Sequence, residues 1–341
     1  MRARAISRPV TDPLLLRNSI LLLAALVLLI PCANAQQTAI PPPPPPVTQE
    51  PNHSIKQNVD MVVLHATVTD GKGNFVAGLQ KSNFKVYEDK VEQTISVFQK
   101  RDIPVTMGLV VDNSGSMREK RAQVAAAALT FVKTSNPQDE VFVVNFNDEY
   151  YLDTPGEFTS NMNDLNDALS RIDSRGSTAM YDAIIGSLDH LKKGHRDKRV
   201  LLVITDGDDD ASRESFAHTI KIAEESDASI YAIGVFSDDD RKHDKKMVRR
   251  SQKVLREIAE ATGGMAYFPD DLAQVTPVCE QVARDIRNQY TLGYYPTNAE
   301  KDGTFRKVDV EVTGHGKLNV RSRTGYYALK KSEPRPQSTG Q

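Results

Sequence analysis

From residue 105 to 288 the chain alternates short apolar runs with helix-length segments, and few folds accept that rhythm. The apolar runs fall at 105–111, 140–146, 199–205 and 229–236. Segments of helical period lie at 119–134, 162–172, 179–192, around 214–225, and at 251–262 and 272–288. Such alternation predicts an α/β fold, a Rossmann-like, doubly wound and mostly parallel sheet with helices on both faces. The runs 108–111 and 200–204 are continuously apolar, as strands covered on both sides require. Val124, Ala128, Phe131 and Val132 form a core stripe on the first helix, and Cys279 lies on a similar stripe with Val275, Val278, Val282 and Ile286. Cys279 is therefore expected to be a buried structural thiol.

On either side of this unit the period changes to two. Val62, Leu64, Ala66 and Val68 alternate before the turn chemistry of 70–74, with further strands expected at 84–88 and 94–98. After the unit, 290–295, 308–312 and 318–320 alternate again, with Gly-rich turns between them. Neither flank is large enough for a core of its own. They are expected to pair into one small β-sandwich into which the α/β domain is inserted, a separate sheet at each end being the alternative. The expected organisation is a segment at 55–103, the α/β domain at 104–289, a second β-rich segment at 290–329 and a polar tail at 330–341.

The first 35 residues carry Arg2, Arg4, Arg8 and Arg17, then an apolar run at 20–30, then Ala33-Asn-Ala35. Positive region, short apolar region and small-residue end match a secretory signal peptide, and the run is short for a membrane-spanning helix. The protein is thus expected to be exported, to a periplasmic, secreted or cell-surface destination, with a retained N-terminal anchor as the lesser reading. Residues 36–54, with six prolines at 41–46, read as a stiff spacer. Cleavage after Ala35 removes four basic residues and one acidic one, taking the charge from −2 to about −5, with no basic excess that would favour nucleic acid. Only Cys279 remains, so no intrachain disulfide is available to the mature chain.

In an open parallel sheet, ligands bind beyond the carboxyl ends of the strands. Three stretches converge there: Asp112-Asn-Ser114-Gly-Ser116, the loop 174–179 with Thr178, and the strand end Thr205-Asp206-Gly207. Together they offer carboxylates and hydroxyls, the hard oxygen donors suited to Mg²⁺. With Ser114, Ser116 and Thr178 as direct ligands and Asp112 and Asp206 holding bound waters, the ion keeps a position for an external carboxylate.

The D-x-S-x-S run, the Thr178 loop and the Thr-Asp-Gly strand end resemble the von Willebrand factor type A (VWA) domain and its metal-ion-dependent adhesion site, over about 103–289. All five motif positions are present: Asp112, Ser114, Ser116, Thr178 and Asp206. The β flanks look like those of a bacterial group of exported proteins with this domain. The resemblance implies a Rossmann-like fold, a bound Mg²⁺ (or Mn²⁺ or Ca²⁺), adhesion to a protein partner through that partner's Asp or Glu, and no catalysis. The additional cation sites found beside this one in some relatives are not expected, because Arg118 and Lys120 stand where acids would help.

Two rival readings compete. A structural or envelope-assembly protein would use the metal only to stabilise the fold. A Mg²⁺-dependent phosphatase-type enzyme would use Asp112 as nucleophile, but it wants a second acid where Ser114 stands. P-loop and serine-hydrolase motifs are absent, and His190 and His195 lack the spacing for a zinc site. Asp208, Asp209 and Asp210 read as a solvated acidic loop, with Asp208 a possible modulator of the site. The stretch 237–250 reads as a charged surface loop on the ligand-facing rim, able to select partners.

Overall fold

The computed structural model describes residues 60–134, 136–171, 174–313 and 316–329. The signal peptide, the Pro-rich spacer and the polar tail expected from the sequence lie outside the described residues.

The N-terminal flank contributes strands β1 (Val62–Thr69), β2 (Phe84–Glu88), β3 (Val91–Gln93) and β4 (Ile95–Gln99). The α/β unit follows with β5 (Val105–Asp112), α1 (Arg121–Lys133), β6 (Glu140–Phe146), β7 (Tyr150–Leu152), α2 (Met162–Ser170) and α3 (Met180–Leu191). It continues through β8 (Lys198–Thr205), α4 (Phe216–Glu225), β9 (Ala228–Gly234), α5 (Asp238–His243), α6 (Lys245–Ala261), β10 (Ala266–Tyr267) and α7 (Val275–Arg287). The C-terminal flank adds β11 (Tyr290–Tyr294), β12 (Phe305–Val312), β13 (Asn319–Arg321) and β14 (Gly325–Tyr327).

The central sheet has the order β10-β9-β8-β5-β6-β7 and is parallel except at β7, which runs antiparallel to β6. Every residue of β5 is buried, because β6 and β8 cover its edges and helices cover both faces. Alternation splits its side chains between two cores. Met107, Leu109 and Val111 pack with Val124, Ala128 and Phe131 of α1 and Cys279, Val282 and Ile286 of α7. On the opposite face, Val110 packs with Phe142, Ile184, Leu188, Leu255 and Ile258. Gly108 lies on that second face, where an added Cβ would sit 2.5 Å from the Phe142 ring and 2.6 Å from Leu201. Burying each of these large side chains contributes about 1.5–3 kcal/mol.

The flanks form two four-stranded antiparallel sheets, β13-β1-β11-β4 and β14-β12-β2-β3. Each sheet mixes strands from both flanks, so neither end of the chain builds a sheet alone. Leu64, Val86, Tyr290, Leu292, Val308 and Val310 fill the space between them. The Glu88 carboxylate is also buried there and accepts from the hydroxyls of Tyr294 and Tyr326, each at 2.8 Å. Tyr294 belongs to one sheet while Glu88 and Tyr326 belong to the other, so the Tyr294 bond crosses the sandwich and the Tyr326 bond holds its acceptor in place. The two chain crossings into the α/β unit lie side by side. Arg287, at the end of α7, donates to Asp102 at 2.9 Å and to the Ile103 carbonyl at 3.3 Å, and also pairs with Asp139.

Two sequence expectations need correction. The stretch 237–250 is not a loop: it contains all of α5 and the start of α6, so the helix expected at 251–262 begins at Lys245. Ser237 and Asp240 form a reciprocal capping box on α5, and the Asp244 side chain accepts from the Met247 amide to start α6. The residues 208–210 are not merely solvated either, as their bonds in the site show.

Candidate metal site

The strand order puts the C-terminal ends of β5 and β8 next to each other, and the loops after them meet the loop that opens α3. Local hydrogen bonds fix each loop. Asp112 ends β5 fully buried; one carboxylate oxygen accepts from the Ser114 amide at 2.8 Å and the other from the Thr205 hydroxyl at 2.6 Å. Thr205 in turn accepts from the Gly207 amide at 2.8 Å, so β5 and the Asp206 turn are locked together. That turn needs φ of +83° at Gly207, a region open chiefly to glycine.

The remaining loops are cross-tied in the same way. The Gly115 amide donates to the Gly176 carbonyl at 3.1 Å. Gly176 has φ of +76°, and an added Cβ would lie 2.1 Å from the Asp148 carboxylate, which accepts from the Ser177 amide. The Thr178 amide donates to Asp210 at 2.7 Å, while its carbonyl accepts from the Asp210 and Ala211 amides. Asp209 accepts from the Tyr181 amide at 2.9 Å and the Ser212 hydroxyl at 2.6 Å, and Asp208 pairs with Arg250 of α6. All three acids after Gly207 are thus structural, which the sequence pattern did not reveal.

The structure therefore brings Asp112, Ser114, Ser116 and Asp206 to one edge of the sheet and attaches the Thr178 loop to both neighbouring loops. Ser114 and Ser116 hydroxyls lie 3.1 Å apart, Ser114 buried and Ser116 exposed at the mouth. Thr178 and Asp206 are buried. Burial and the nearby Asp206 carboxylate push the Asp112 pKa up to about 6. The Asp206 carboxylate opposes the ionisation of Asp112, and an added cation would relieve that opposition. The donor set is all oxygen, with hydroxyls outnumbering carboxylates, and it fits a hard divalent ion. Among the described residues no three His, Cys, Asp or Glu side chains converge to form a conventional cluster site.

Two bases at the start of α1 complete the electrostatics. Lys120, buried, extends its ammonium to Asp206 at 3.0 Å and to Asp240 of α5 at 3.5 Å. Arg121 is fully buried, donates to the Asn145 side chain, and faces the fields of Asp112 and Asp153; burial lowers its pKa to about 10. Sequence reading treated Lys120 only as a base where an acid was wanted. Its place directly after the D-x-S-x-S turn was the available signal.

An open parallel sheet with an oxygen-rich loop cluster at its carboxyl edge defines the class to which this unit belongs. The model of the von Willebrand factor type A domain matches residues 107–208, from the third residue of β5 to the acid after Gly207. Over these residues the chain is similar to a VWA domain, and the mostly parallel sheet around them is the fold expected of one. Among solved structures, the chain is similar to a von Willebrand factor type A protein from Catenulispora acidiphila, at 14% identity and TM-score 0.46, over 74% of this chain and 75% of that one. It is similar to proximal thread matrix protein 1 from the mussel byssus, at 14% identity and TM-score 0.45, over 55% of this chain and 49% of that one. A third is the vWF domain of the type V pili tip protein Mfa5 from Porphyromonas gingivalis, at 11% identity and TM-score 0.45, over 54% of this chain and 95% of that one. The chain spans about half the length of the mussel protein. No curated protein matches it.

Proposed function

We propose that the protein is exported and binds a protein partner through a divalent ion held by Ser114, Ser116 and Thr178, with Asp112 and Asp206 behind them. The observation that carries this reading is the cross-tied loop cluster in which buried carboxylates back a pair of adjacent hydroxyls. When bound, Mg²⁺ or Mn²⁺ supplies a Lewis-acidic position for an Asp or Glu of the partner. Asp112 is committed to two structural hydrogen bonds, a poor arrangement for a nucleophile, so the binding role is favoured over the enzymatic one. VWA domains generally mediate protein–protein interaction. The N-terminal signal-like segment supports export to the periplasm, the cell surface or the medium; among the described residues no helix is long and apolar enough to cross a membrane.

The test is capture of envelope proteins by the full-length chain in Mg²⁺ and in EDTA, compared with Asp112→Ala. The reading expects specific partners in Mg²⁺ only, lost in a variant that retains its circular dichroism. Partners retained equally in EDTA would overturn it, and an EDTA-induced fall in melting temperature with no metal-dependent partner would favour the purely structural metal.

A further inference from the structure

The first twelve residues of α6 carry six bases and no acid: Lys245, Lys246, Arg249, Arg250, Lys253 and Arg256. At 100° per residue these positions occupy only about 140° of the helix circumference. Val248, Ser251, Leu255 and Ile258 are buried on the other side. The bases therefore form a single cationic strip, exposed along its length. Part of its charge is used internally: Arg250 pairs with Asp208, Lys253 lies 3.7 Å from Glu257, and the Arg256 guanidinium stacks 4.6 Å from the Phe268 ring. Lys245, Lys246 and Arg249 have no ion-pair partner among the described residues.

The helix that carries this strip packs against the candidate metal site through its buried face, and the strip's edge residue Arg250 reaches round to it. A Cβ added at Gly207 would lie 3.0 Å from the Ser251 Cβ and 3.3 Å from Leu255, so α6 rests directly on the Asp206-Gly207-Asp208 turn. The Arg250–Asp208 pair fastens the same turn from outside. Because α6 starts at the carboxyl edge of the parallel strands, Lys245, Lys246 and Arg249 lie nearer that edge than Ser251 does. Lys120 adds a second link, joining Asp206 to Asp240 of the preceding helix.

The geometry points to an acidic polypeptide segment as the partner: one carboxylate on the metal, and further carboxylates along α6. This rests on the metal-dependent reading above and extends it from a single acid to an acidic stretch. The strip is about 16 Å long at 1.5 Å per residue, which an extended segment of about five residues spans at 3.3 Å each. It ends at the exposed acids Asp238, Asp239 and Asp244, which limit the acidic segment it can hold to the length of the bases.

The test uses the full-length chain in Mg²⁺ with two capped peptides of equal length, decaglutamate and a Gly/Ser peptide containing one Glu. Three exposed ion pairs give decaglutamate an advantage of about tenfold at low salt, falling as salt is raised. In the triple variant Lys245→Glu, Lys246→Glu, Arg249→Glu the ratio of the two affinities falls to about one, with the melting temperature unchanged. A ratio unaffected by the triple variant overturns the proposal. So does tighter, strip-dependent binding of a duplex oligonucleotide or of phosphatidylserine vesicles than of decaglutamate. If instead both peptides bind equally well in EDTA, the metal reading itself fails, and the joint site with it; strip dependence of decaglutamate, measured separately, tells the two failures apart.

Discussion

Lys120→Met removes the ammonium that joins Asp206 to Asp240 while keeping most of the aliphatic stem. Both Lys120 and Asp206 side chains are only 8% exposed, so the pair is a buried one. Removing one member of such a pair leaves a buried charge without compensation and costs about 3–5 kcal/mol. Here the orphaned Asp206 also lies close enough to Asp112 to oppose its ionisation. For a cooperative unit the size of the α/β domain, a loss of about 3 kcal/mol lowers the melting temperature by roughly 6–12 °C. The same vacancy should favour a divalent ion, because a competing positive charge has left the carboxylate. Titration calorimetry is expected to show Mg²⁺ binding at least about tenfold tighter in the variant, which is about 1.4 kcal/mol. Thermal melts should then show a deficit of about 3 kcal/mol in EDTA that shrinks by about 1.4 kcal/mol in saturating Mg²⁺. Equal deficits in EDTA and Mg²⁺, with unchanged Mg²⁺ affinity, would refute the argument that Lys120 and the metal share one electrostatic role.

Two further outcomes are expected. Lys198 is buried, its ammonium donating to the Ile286 carbonyl at 2.5 Å, and burial lowers its pKa from 10.5 to about 7. The unfolded chain therefore holds more protons between these values, so stability rises with pH across that window and is lost as pH falls towards 7. Denaturant melts should gain roughly 2 kcal/mol from pH 7 to pH 9 in the native chain, and Lys198→Met should flatten that rise; an unchanged slope would show that Lys198 is not its source. Gly207→Ala forces a side chain into a positive-φ turn and against Ser251, and should cost about 1–2 kcal/mol in urea melts. It should also weaken Mg²⁺ binding, since the turn carries Asp206; native Mg²⁺ affinity in the folded variant would count against the coupling of α6 to the site.

The strands that deliver Asp112 and Asp206 were legible because continuously apolar runs end abruptly in polar residues, and that boundary fixes which side chains reach the sheet's edge. The α/β class followed from the same alternation. Strand β7 was not legible: Tyr150, Tyr151 and Leu152 are all exposed, so no burial pattern marks them. The start of α6 was hidden because Lys245 and Lys246 carry no apolar period before Met247, although Ser237 and Asp240 have the spacing of a capping box. Asp208, Asp209 and Asp210 looked solvated because a run of like charges ordinarily is. Their actual roles depend on backbone amides and an arginine that lie far away in sequence. Lys120 was the largest omission, since its partners Asp206 and Asp240 lie 86 and 120 residues further on and only the folded sheet brings them together.

The side-by-side crossings between sandwich and α/β unit have a mechanical consequence. The candidate site lies at the carboxyl edge of the parallel strands, and the crossings leave from the opposite edge, at β5's start and α7's end. A load applied through a captured partner would descend the length of the domain and divide between two chain segments, reaching β4 and β11. Those strands are antiparallel neighbours with Gln99 opposite Thr291, and both are drawn from the same end, so the pull does not slide one past the other. The load passes instead from β11 to β1, along the five-pair register from Val62–Tyr294 to Ala66–Tyr290, where the bonds resist together. Arg287, bridging Asp102 and Asp139, keeps the two lines of force from spreading apart. A domain inserted between the halves of a sandwich is in this sense held at two points, so a pull on its far edge would be shared between them.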